Sequence, residues 1–73
     1  MNTDRKIKNW MRSQDLEDYF ADGVTDPDRA MYTQLGQDAS AALGFEINSE
    51  EDERCFDLAI EVLDEYAKLP ERQ

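Results

Sequence analysis

The stretch that most constrains this chain is Ser49 to Leu69, SEEDERCFDLAIEVLDEYAKL, whose apolar residues recur at intervals of three and four. Phe56, Ala59, Ile60, Leu63 and Ala67 fall on one helical face, and Cys55, Leu58, Val62, Tyr66 and Leu69 widen it into a broad arc. So wide an arc needs packing partners on two sides. Ser49 marks the start, with a hydroxyl able to accept from a free backbone N–H, and Glu50, Glu51, Asp52 and Glu53 occupy the positive end of the helix dipole. Pro70 cannot continue the helix, and Lys68 places a cation at its negative end.

The remaining segments read as its partners. Residues 1–13 can begin a helix after Thr3, with Ile7, Trp10 and Met11 on one face, although the segment is short and charged for a helix on its own. Ser13 can cap a second helical stretch carrying Leu16, Tyr19 and Phe20, which Gly23 would end. Asp26-Pro27 reads as a third start, with Asp26 as cap and Pro27 at the first helical position, followed by Ala30, Met31, Leu35, Ala39, Ala42 and Leu43 up to Gly44. Gly36, inside that stripe, marks either a break or, in the preferred reading, a close helix approach. Phe45 and Ile47 are expected to staple the following connector onto the core. The expected fold is therefore all-α: one domain over 1–73, a compact bundle of three or four short helices. Its helical core would span 13–69, with 1–12 as a basic arm, flexible or used for docking.

A chain of 73 residues buries only about 60% of the surface its unfolded form exposes. With one cysteine and no histidine it has neither an internal disulfide nor the common nitrogen and sulfur metal sites to help it. Helix packing must hold the fold, and Cys55, lying on the apolar arc, is expected to be a buried reduced thiol. No apolar run approaches the length of a membrane span. The expectation is a soluble monomer in the cytoplasm of a bacterial host.

The net charge is −10, unevenly placed. Arg5, Lys6, Lys8 and Arg12 face only Asp4 among the first 14 residues, so the remainder carries −13. That field repels nucleic acid and membrane surfaces and favours a positively charged protein partner. The carboxylates form no recognisable catalytic or calcium pattern: Glu50–Glu53 lacks the alternating ligands and turn glycine of a calcium loop, and Ser-His or Cys-His nucleophiles need a histidine. No enzyme, cofactor or metal is expected. Asp57, Glu61, Asp64 and Glu65 are read as an acidic stripe on the last helix, away from its apolar arc. The stripe either keeps the domain soluble or presents carboxylates to a basic groove.

From MNTDRKIKNWMRSQDLEDYF to the acidic last helix, the whole chain resembles the small RNA polymerase-binding transcription regulator of a lytic Xanthomonas phage. The likeness lies in overall length and in the basic-head, acidic-body layout. It implies a non-enzymatic protein that binds the N-terminal region of the polymerase β′ subunit near the RNA exit channel. Such a protein blocks initiation at host promoters and lets elongating polymerase read through intrinsic terminators. The resemblance supplies no motif for carrying residues over. The candidate contact residues therefore come from charge and exposure: Arg5, Lys6, Lys8, Trp10 and Arg12 at the head, and Asp57, Glu61, Asp64 and Glu65 on the last helix. Trp10 reads either as an anchor on the domain's own core or as a partner-facing side chain. Two other classes stay open: an acidic nucleic-acid mimic directed at a host defence nuclease or CRISPR effector, and a structural adaptor that pairs through Phe56 and Leu63.

Overall fold

In the computed structural model, which describes residues 3–72, the chain is all-α. Met1, Asn2 and Gln73 lie outside the described residues, and with them the first two positions of the arm expected over 1–12. Three α-helices follow in order: α1 (Thr3–Arg12), α2 (Arg29–Leu43) and α3 (Glu50–Ala67). A short 3₁₀ turn at Leu16–Tyr19 lies between the first two, and another at Pro70–Arg72 follows the third.

Helix α3 packs against both α1 and α2, as its wide apolar arc requires. Cys55, Leu58, Ala59, Val62 and Leu63 are its buried residues, while Phe56 and Ile60 are half-buried at the edges of the stripe. Its N-terminus is closed by a capping arrangement. Asp52 N–H donates to Ser49 Oγ at 3.1 Å, and the Asp52 carboxylate accepts from Asn48 N–H at 2.9 Å. Asn48 has φ 67°, a left-handed conformation that asparagine tolerates better than most residues.

Helices α2 and α3 are antiparallel. Tyr32, early in α2, bonds Asp64, late in α3, and Gly36, midway along α2, lies against Cys55 and Phe56, in the first half of α3. They approach closely at Gly36, where an added Cβ would lie 3.1 Å from the Phe56 Cα. The preferred reading of that glycine holds, and α2 runs through it unbroken. Gly44 ends the helix in the left-handed conformation, φ 75°, that a side chain would disfavour.

Three expectations about helix starts and the connector are corrected. Helix α2 starts at Arg29, capped by Asp28 rather than Asp26: the Asp28 backbone is extended, and its Oδ1 accepts from Met31 N–H at 3.0 Å. Both aspartates flank Pro27 and either suits an N-cap by residue type; the cap bond is made by Asp28, three residues before the Met31 N–H that it accepts from. Ser13 does not open a second helix. Its hydroxyl donates to Trp10 O at 2.6 Å and closes the end of α1, so Leu16, Tyr19 and Phe20 sit on and beside one 3₁₀ turn. The connector staple is half realised: Phe45 packs against the core, whereas Ile47 is 85% exposed.

Helix α1 supplies core residues. Ile7 and Met11 are both at 0% exposure, packed with Leu35, Leu63 and the rest of the apolar cluster, and Trp10 lies partly buried against it. A core that began only at residue 13 would lack both side chains. The division into a 1–12 arm and a 13–69 core does not match this packing, because the 3–4 spacing of Ile7 and Met11 gives even a one-arc helix a face to bury.

Candidate functional site

The basic head and the acidic last helix, expected as two separate surfaces, meet each other. Lys8 Nζ lies 2.7 Å from Glu61 Oε2, and Arg12 Nη2 lies 3.1 Å from Glu65 Oε2. In the reverse sense, Arg54 of α3 grips Asp4 of α1 with two parallel bonds, Nε to Oδ1 at 2.9 Å and Nη2 to Oδ2 at 2.7 Å. Residues 4, 8 and 12 of α1 thus meet 54, 61 and 65 of α3 in rising order, so the two helices run in the same direction. The bond from Arg54 holds the Asp4 carboxyl below its ordinary value, and the bond from Lys8 does the same for Glu61.

The expected stripe of four carboxylates is not a single face. Glu61 and Glu65 turn to α1, and Asp57 lies beside Arg54 of its own helix at 3.6 Å. Asp64 is half-buried on the other flank, where its Oδ1 accepts from Tyr32 Oη of α2 at 2.7 Å. Consecutive residues on a helix point about 100° apart, enough to send Asp64 and Glu65 to different neighbours. At the head, Arg5 and Lys6 are exposed, and among the described residues Lys6 makes no ion pair.

A ring of tyrosines, which the sequence reading did not single out, ties the elements together. Tyr19 of the first 3₁₀ turn donates to Asp38 of α2 at 2.6 Å, and Tyr32 of α2 donates to Asp64 of α3. Tyr66 of α3 donates to Glu17 of the 3₁₀ turn at 3.0 Å, which closes the circuit, and its ring packs 5.8 Å from that of Phe20. Burial, reinforced by the bond to Asp38, raises the Tyr19 phenol well above its ordinary range. The bond to Asp64, reinforced by burial, pushes Tyr32 up to about 12. No spacing in the chain signals these pairs, because each joins residues that come together only through the fold.

The connection between α1 and α2 is a second acidic segment, outside the stripe expected on α3. Residues 13–28 hold Asp15, Glu17, Asp18, Asp22, Asp26 and Asp28 and no Lys or Arg. The next cation, Arg29, lies over the Phe56 ring of α3, 5.9 Å from its centroid. Charge-window counting could have found this run; attention to helical periodicity passed over it because most of it is loop.

Cys55 is a free, fully buried thiol, and burial pushes it up to about 11, so it is poorly suited to act as a nucleophile. Among the described residues no group of three or more Cys, Asp or Glu is placed to hold a metal ion, and no helix is long and apolar enough to cross a membrane. No family model matches the chain, and comparison with curated proteins and with solved structures gives no significant match.

Proposed function

We propose that this protein is a non-enzymatic, phage-type regulator of bacterial transcription. It binds host RNA polymerase through the N-terminal region of β′, inhibits initiation and promotes read-through of terminators. The observation that carries this reading is the resemblance of the whole chain, in length and charge layout, to the polymerase-binding regulator of a lytic Xanthomonas phage. A net charge of −10 on a small bundle suits a cationic protein surface and opposes direct contact with nucleic acid.

The other two classes have less behind them. A nucleic-acid mimic built on the α3 stripe would have to present Glu61 and Glu65, whose charges already face Lys8 and Arg12. An adaptor pairing through Phe56 and Leu63 would need two side chains of which one is half-buried and the other at 0% exposure within the single chain.

Transcription in vitro with purified polymerase, a Xanthomonas enzyme included, tests the proposal. Saturating protein is expected to reduce promoter-initiated transcripts and, added to preformed elongation complexes, to increase read-through at an intrinsic terminator. Unchanged initiation together with unchanged termination would remove the reading.

A further inference from the structure

The connection between α1 and α2 and the first turns of α2 enclose a cleft of about 410 Å³. Its wall is apolar where Tyr19, Val24 and Met31 line it, with Met31 almost fully buried at 6% exposure. Its rim carries Asp18 and Asp28. The Asp28 Oδ1 caps α2, and among the described residues neither carboxylate forms an ion pair. The cleft is set in the run 13–28, which has six acidic residues and no basic one, while the guanidinium of Arg29 is engaged over Phe56.

An apolar wall beneath a negative rim fits one kind of group well. A long side chain ending in a cation can lay its methylene stem on Met31 and Val24 while its charged head stays at the carboxylates. Arginine fits better than lysine, because its planar head can also stack on the Tyr19 ring and bond a carboxylate through two N–H groups. We infer that this cleft is a docking site for an arginine side chain presented by the protein partner. The inference rests on the proposed function for the identity of that partner, and on the cleft's own shape and charge for the site. It differs from the sequence-based expectation of contacts, which lay on the basic head and on α3.

Two experiments test the site and the partner separately. The first follows backbone amide resonances of the full chain during titration with N-acetyl-arginine amide, and with N-acetyl-citrulline amide as the uncharged isostere. Shifts concentrated at Tyr19, Val24 and Met31 are expected with arginine, absent with citrulline and lost in Asp18→Lys. Shifts spread evenly over the acidic surface, or equal for both compounds, would overturn the site.

The second compares polymerase binding by Asp18→Lys with Glu46→Lys, an equal change of net charge at an exposed position in another loop. Binding is expected to weaken roughly tenfold for Asp18→Lys and far less for Glu46→Lys. Equal binding by wild type and Asp18→Lys would overturn the inference while leaving polymerase as the partner. If the wild-type protein binds no polymerase, the proposed function fails, and the arginine titration decides the cleft by itself.

Discussion

Gly36 is the residue at which helix propensity and packing oppose each other most directly. Alanine would improve the intrinsic stability of α2 by about 1 kcal/mol. The added Cβ would meet Phe56 Cα at 3.1 Å, Phe56 N at 3.2 Å and the Cys55 carbonyl carbon at 3.3 Å, all backbone atoms that cannot rotate aside. Crowding of this kind costs about 1–3 kcal/mol, so Gly36→Ala is expected to lose about 1 kcal/mol net in urea denaturation, and Gly36→Val more. A gain on alanine substitution would mean that α2 and α3 separate without penalty. Tyr32 gives a second residue-level test. Its phenol is raised to about 12 by the bond to Asp64, so between pH 10 and about 12 the unfolded chain releases a proton that the folded chain retains. The stabilisation is therefore complete below pH 10 and is lost as pH rises through that window. Tyrosinate absorbance is expected to show phenols ionising late, and Tyr32→Phe to remove one of them. A wild-type protein that stays folded while all its phenols titrate near pH 10 would contradict the bond.

Among the elements, α3 was legible from its residues because every signal agreed: a three-and-four apolar spacing, a serine cap, an acidic first turn and a proline after the end. The structure keeps it from Glu50 to Ala67. Helix α2 was legible in kind, but its start was misplaced by two carboxylates that flank the same proline. The role of α1 was harder to read. Its charge suggested an arm, yet the cations at Lys8 and Arg12 lie beside two buried side chains, Ile7 and Met11, and the partners Glu61 and Glu65 are about fifty residues away. Local charge counting does not reveal that such residues will face one another. Deleting residues 1–12 is therefore expected to lower the thermal midpoint sharply or abolish the fold. Ile7→Ala alone is expected to lose about 2–5 kcal/mol through the cavity it leaves. Circular dichroism melts of both variants check this, and midpoints close to wild type would restore the separable arm. The three α1–α3 ion pairs lie at the surface, with Asp4 and Lys8 half-buried, so high salt is expected to weaken them without removing the helix from the core.

For the molecule as a whole, folding redistributes the charge that the sequence displays. Lys8 and Arg12 of the basic head are drawn onto α3, while the run 13–28 carries six acidic residues and no basic one of its own. The all-α class was readable from periodicity and caps. The candidate contact surface was only partly so: the sign of the charge was evident, but its location depends on which acids find partners, and that is set by the crossing of α1 over α3. The central claim is that this acidic bundle acts by holding a cationic protein surface on RNA polymerase. Its most direct test is gel filtration of the full chain with purified bacterial polymerase, beside an otherwise identical enzyme lacking the N-terminal segment of β′, with a duplex-DNA retardation assay in parallel. Co-elution with the intact enzyme, none with the truncated one and no retardation of free DNA is the expected result. Failure to co-elute with intact polymerases, a Xanthomonas enzyme among them, or binding to free duplex DNA would contradict it.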